Sequence, residues 1–190
     1  MTTTISPPEG GTRDAARTRE NILRAAQKLF AQKGYTTTGV RQVAAEAGAD
    51  FTLIRRYFGS KEGLFRAAVE DFLLIEPFIT GDRATFGQRA VALLMIGEEM
   101  PSALAMMVLA TADPQARILC SSLMHDHITL PLAQWLGGGD TALARAAQIN
   151  FLWMAYMTGR QVLPLPALAG ADLQGTRQWL ADTIQAIVDG

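Results

Sequence analysis

Two adjacent arginines, Arg55 and Arg56, stand near the end of the stretch VRQVAAEAGADFTLIRRYF, residues 40–58. A guanidinium is a flat fork of donors that matches a phosphate, or the O6 and N7 edge of a guanine. Phe51, Thr52 and Leu53 lie just ahead and suit thymine methyl groups. Thr38, Tyr57 and Lys61 fall at helix ends, where phosphate contacts usually fix register. Arg41 projects from the preceding helix toward the same side. Arg13 and Arg17 are placed to follow the backbone or a minor groove. The chemistry open to this set is recognition of double-stranded DNA. Its candidate contacts are Thr38, Arg41, Phe51, Thr52, Leu53, Arg55, Arg56, Tyr57 and Lys61.

For that chemistry the arginines must be held outward by a small platform. The spacing predicts one. Ile22, Ala26, Leu29 and Phe30 share one face of a helix that begins near Asp14 and stops at Gly34. A second helix follows Thr38 as N-cap, with Val40, Val43, Ala44 and Ala47 inward; Gly39 in its first turn weakens it slightly. Ala44 is small enough for a close crossing, and Gly48 tolerates the positive φ of a sharp turn. Asp50 caps a third helix. Ala49, Ile54 and Phe58 point inward from it, leaving Phe51, Thr52, Leu53, Arg55, Arg56 and Tyr57 outward. This is a helix-turn-helix layout, whose second helix enters the major groove. A fourth helix opens at Ser60-Lys61-Glu62-Gly63, with Leu64, Phe65, Ala68 and Phe72 on one stripe.

Charge divides the chain in the same place. Residues 1–70 hold eleven Lys and Arg against seven Asp and Glu; residues 71–190 hold six against eleven. A head of +4 on a body of −5 underlies the overall −1, as expected of a nucleic-acid module joined to one that does not touch nucleic acid. The expected division is a flexible tail over 1–13, a helix-turn-helix domain over 14–60 and a helical body over 61–190, with the helix from 61 linking the two. The body shows no alternating strand pattern. Its predicted helices cover 84–98, 102–112, 114–135, 141–159 and 172–188, so an all-α chain of about nine helices is expected. Pro101 and Pro114 suit first turns, Pro131 should bend or end its helix, and Gly137-Gly138-Gly139 is a break.

The stretch from Thr18 to Phe65 resembles the DNA-binding domain of the tetracycline-repressor (TetR) family of bacterial regulators. TRENILRAAQKLFAQKGYTTTGV is similar to the family's first helix and the entry to the second, RQVAAEAG to its second helix and turn, and RRYFGSKEGLF to its most recognisable run. Phe51, Leu53 and Arg55 depart from the usual family residues and lie on the groove-facing side, so they bear on which operator is read. The resemblance implies a homodimer whose recognition helices sit one DNA turn apart, roughly 34 Å, on a pseudo-palindrome. It implies a body that binds a small effector and releases DNA. The last two long helices would then form the dimer interface. Ala142, Ala146, Ile149, Trp153 and Tyr156 are compatible with such a face, as are Leu180, Ile184, Ile187 and Val188; each is equally compatible with internal core.

Seven of the eight methionines and all three tryptophans lie beyond residue 94. Methionine adapts its shape and aromatic rings give large contacts, so an apolar pocket is expected, with Met95, Met124, Trp153 and Met157 as candidate liners. His125-Asp126-His127, with Cys120 nearby, places two histidines on different helix faces, which is poor for chelation. Arg117 and Arg160 are candidate partners of an acidic ligand, with solvated surface as the default. No catalytic or metal-ligand spacing, no cofactor and no disulfide are expected. The polar start and the lack of an apolar run of ~18 residues lead us to expect a soluble cytoplasmic protein. Two other readings are a DNA-binding regulator without a small-molecule ligand, and a helical adaptor or enzyme.

Overall fold

The computed structural model describes residues 9–96, 103–166 and 173–190. Its spine is α1, Glu9–Thr37, which begins within the stretch read as a tail. Ile22, Leu23, Ala25, Ala26, Leu29 and Phe30 form its buried side. Gly34, at φ 79°, breaks the helical path near the end. α2 (Val40–Glu46), α3 (Thr52–Phe58) and α4 (Lys61–Glu70) pack on one part of this spine, and α7 (Ala103–Ala110) packs on it from the body. One rod therefore serves both halves. Phe65 of α4 meets Phe30 at 5.1 Å and Tyr35 at 5.0 Å between ring centres, edge on. Gln27, buried on α1, donates to the Ala68 carbonyl and to Asp71 Oδ2 at 2.8 Å, tying α1 to the end of α4.

The body continues with α5 (Glu76–Ile79), a 3₁₀ turn (Arg83–Thr85) and α6 (Phe86–Ile96). α8 (Pro114–Met124) is capped by Asp113, whose carboxylate accepts from the Gln115 and Ala116 amides, with proline at its start as expected. Pro101 lies outside the described residues. A π-helical turn (His125–Thr129) then leads to α9 (Leu130–Trp135). The span read as one helix over 114–135 is thus divided. Pro131 lacks the N–H an α-turn would use, and the wider turn before it absorbs the lost bond. α10 (Gly139–Met157), a second π turn (Thr158–Val162) and α11 (Leu173–Asp189) complete the described chain. The all-α reading holds. Among the described residues there are eleven α segments against about nine expected; α5 and the division at Pro131 account for the excess.

α6 and α11 approach closely because Gly87 has no side chain. A Cβ there would stand 2.1 Å from the Ala181 carbonyl oxygen. Instead the Gly87 amide donates to Gln185 Oε1 at 2.9 Å. Arg145 of α10 donates to the Ile187 and Val188 carbonyls, satisfying the end of α11 with a cation. Rings of Phe86 and Trp135, 4.8 Å apart, and of Phe78 and Trp153, 4.9 Å apart, fill the body.

Candidate nucleic-acid interface and body cavity

α2 buries Val43 and Ala44. Gly48, at φ 62°, turns the chain, and the Ala49 amide donates back to the Ala44 carbonyl at 2.9 Å. Asp50 then accepts from the Thr52 amide at 2.8 Å and the Thr52 hydroxyl at 2.5 Å. These bonds, the hydroxyl's first, hold its carboxyl below the usual range. α3 rests on Ile54, which is buried. Arg55 and Arg56, next in sequence, are exposed and form no ion pair among the described residues. A Lys28–Glu46 pair at 2.5 Å braces α1 against α2, and its hydrogen bond lowers the Glu46 pKa.

The expected contacts divide into three groups. Arg41, Phe51, Thr52, Arg55 and Arg56 face solvent. Phe51 is 47% exposed, with the Arg41 guanidinium 5.3 Å from its ring centre. Leu53 and Tyr57, expected outward, are half-buried against the core. α3 is only two turns long, so residues flanking Ile54 fall into the seam with its neighbours. Lys61 is half-buried as well. Its ammonium sits 4.5 Å from the Tyr35 ring centre and 3.4 Å from the Thr36 carbonyl, and burial lowers its pKa. Thr38 is 1% exposed. Its hydroxyl donates to the Gly34 carbonyl at 2.8 Å, so it satisfies the end of α1 instead of facing a phosphate. Gly39, not Thr38, is the N-cap of α2, and it lies outside the helix it was expected to weaken. Spacing also missed Arg19, whose guanidinium lies 5.0 Å from the Phe58 ring centre.

In the body a cavity of about 250 Å³ opens between the segment that follows α4 and helices α6, α7 and α10. Phe72, Phe78, Met107, Met124, Trp153 and Met157 line it. Three of the four expected liners are there. Met95 is not; its sulfur accepts from the Tyr156 hydroxyl at 3.7 Å. Asn150 is the polar side chain in the wall, and sequence spacing gave no sign of it. Its Oδ1 and the Trp153 Nε1 are buried without a partner among the described residues.

His127 Nε2 lies 3.6 Å from Glu70 Oε1 on α4, while Asp126 accepts from the Ser122 hydroxyl at 3.0 Å. Among the described residues no cluster of His, Cys, Asp or Glu could hold a metal. Cys120 is buried, which pushes its thiol pKa up to about 11. The side chains expected at the dimer face are mostly internal. Ala142, Ala146, Ile149, Trp153, Tyr156, Leu180, Ile184 and Val188 are buried within the chain and Ile187 is half-buried. Other apolar side chains of the same two helices are exposed, Phe151 at 71% and Trp179 at 58%, as is Ile118 of α8.

Residues 22–68 match the family model "Bacterial regulatory proteins, tetR family". Residues 84–188 match "Tetracyclin repressor-like, C-terminal domain". The chain belongs to the TetR family. The chain is 45% identical over 56 residues to the HTH-type transcriptional repressor NicS of Pseudomonas putida, covering 30% of this chain and 26% of that protein. It is 40% identical over 55 residues to the HTH-type transcriptional regulator HbdR of Aromatoleum sp., covering 29% and 24%. The matched stretch thus spans about a quarter of each curated relative. A crystal structure of a TetR-family regulator from Streptomyces coelicolor A3 is similar over 99% of this chain and 100% of that one, at 27% identity and a TM-score of 0.62. A family structure from Shewanella sp. PV-4, at 18% identity and a TM-score of 0.63 over 88% and 95%, shares the fold. As a TetR-family member this chain is a transcriptional regulator with a DNA-binding head. Among the described residues no helix is long and apolar enough to cross a membrane.

Proposed function

We propose that this regulator is a cytoplasmic homodimeric repressor. In this reading two heads (14–60) hold a pseudo-palindromic operator, and the bodies (61–190) release it on binding a small apolar or aromatic molecule. One observation carries the DNA reading: Ile54 is locked into the platform while Arg55 and Arg56 beside it are exposed and have no ion pair among the described residues. Arg41, Phe51 and Thr52 extend that surface, with Leu53, Tyr57 and Lys61 at its edge; Thr38 supports it from beneath.

The cavity supports the effector reading. Phe72, Leu73 and Leu74, just past α4, form part of its wall, and Asp71 beside them is bonded to Gln27 of α1. A guest therefore presses on the chain beside one junction of head and body. It shifts the head only by binding one arrangement more tightly than the other. Phe151 and Trp179 are large apolar side chains left in water, as a self-association face requires.

The test is a gel shift with the DNA upstream of the protein's own gene. Retention at low salt that weakens as salt rises is expected. No retention at low salt overturns the DNA reading. A cavity that binds no apolar compound, by melting temperature or by DNA release, overturns the effector reading.

A further inference from the structure

The apolar cavity does not stop at Asn150. A second recess of about 420 Å³ adjoins it, and the two share Leu104, Met107, Met124, Asn150 and Met154. Their chemistry differs. The wall of the first is apolar apart from Asn150. The second recess adds Thr111, Arg117, Ser121, His125 and Thr129. Arg117, Ser121 and His125 recur every four residues and so share one face of α8 and the turn that follows it.

Arg117 is exposed at this recess and has no ion pair or side-chain hydrogen bond among the described residues. Arg24 and Arg66, by contrast, each lie beside a carboxylate. Asn150 marks the seam and is 8% exposed. Its Nδ2 donates to Thr129 Oγ1 at 3.0 Å, and that hydroxyl donates on to the Met124 carbonyl at 3.3 Å. The chain of donors fixes the amide's orientation and leaves Oδ1 as a buried acceptor without a partner.

We infer that the effector is an amphipathic anion. Its apolar or aromatic part fills the apolar cavity and its acidic group lies in the polar recess, paired with Arg117 and beside His125. A donor between the two parts, a hydroxyl or amide N–H, would satisfy Asn150. This inference rests on the reading of the cavity as the effector site. It adds to that reading the charge of the ligand and the residue that selects it.

Two fluorescent probes separate the claims: 8-anilinonaphthalene-1-sulfonate, which is anionic, and N-phenyl-1-naphthylamine, its neutral counterpart. Both should brighten on binding the native protein. Arg117→Gln should weaken the anionic probe about tenfold, the scale of one lost charge-assisted hydrogen bond, and leave the neutral probe unchanged. Arg117→Lys should retain much of the anionic probe's affinity. If Arg117→Gln weakens both probes equally, or neither, the anionic head group is wrong while the cavity reading stands. Met124→Trp, which fills the seam, should weaken both. If it weakens neither, the probes do not enter the cavity and the underlying reading fails with the inference.

Discussion

Ile54 and Arg55 are neighbours in sequence with opposite fates: one is sealed into the platform and the other is exposed, with no ion pair among the described residues. Replacing either Arg55 or Arg56 with Ala should therefore cost affinity without unfolding the head. Loss of a base contact costs about 1–3 kcal/mol and relaxes sequence preference; loss of a phosphate contact weakens all sequences alike and reduces the salt slope by about one. Titration of each variant against operator and random DNA distinguishes these, and unchanged affinity in both variants removes α3 from the interface. The helical period made Ile54 legible in sequence, because Ile54 and Phe58, four residues apart, share the face that must meet the core. It did not make Leu53, Tyr57 or Thr38 legible. Their burial depends on how deep α3 sits and on which carbonyls the end of α1 leaves open. Cys120 gives a second test at this scale. Burial raises its pKa from 9.0 to about 11, so the folded state holds a proton that the unfolded chain has released. Stability contributed by the neutral thiol is present below pH about 9 and is lost between about 9 and 11 as the unfolded chain ionises first. Melting temperature should fall more steeply across that window in the native protein than in Cys120→Ala. Equal slopes would show the thiol to be unperturbed.

Helices here are joined by contacts that leave no room for a methyl group. Ser60 caps α4 by accepting from the Gly63 amide at 3.0 Å. That same turn brings Gly63 so close to α3 that a Cβ would stand 2.1 Å from the Phe58 carbonyl oxygen. The Ser-Lys-Glu-Gly run thus sets the angle between α3 and α4 as well as starting a helix. Gly63→Ala should destabilise the fold by about 1–3 kcal/mol, as overpacking does, and should weaken DNA binding further by tilting α3. Thermal melting and a gel shift measure the two effects. An alanine variant with native stability and affinity would show the junction to be pliable. At this scale the long elements were readable. α1, α10 and α11 each carry several turns of apolar repeat. α5 was not, because four residues around Pro77 hold too little of a period. The π turn before Pro131 was foreseen only as a bend. Sequence marks the missing N–H but not how the chain makes up for it.

Over the whole molecule, the charge division between head and body was visible in sequence, whereas the cavity was visible only in outline. Its wall draws on α6, α7, α8, the π turn and α10, and no local spacing encodes that convergence; hence Met124, Trp153 and Met157 line it while Met95 turns to Tyr156. Of the two roles that sequence left open for the apolar residues of α10 and α11, internal core is the one their burial fits. Both sides of α10 are rich in apolar residues, and only packing against α9 and α11 decides which is covered. The side left open makes the last prediction. If Phe151 and Trp179 meet their copies in a second chain, two heads bind one operator together and neutralise twice the phosphates of one. The slope of log affinity against log salt is close to −0.9 per phosphate neutralised, so it counts heads. The double variant Phe151→Glu, Trp179→Glu should sediment as a monomer, keep its helical spectrum, and bind operator with about half the native salt slope. It should also lose the advantage of a palindrome over a single half-site, since one head cannot read both. A variant that stays dimeric would move the interface elsewhere. One that becomes monomeric yet keeps the native slope would mean that a single head supplies all the phosphate contacts, and the two-headed mechanism would have to be abandoned.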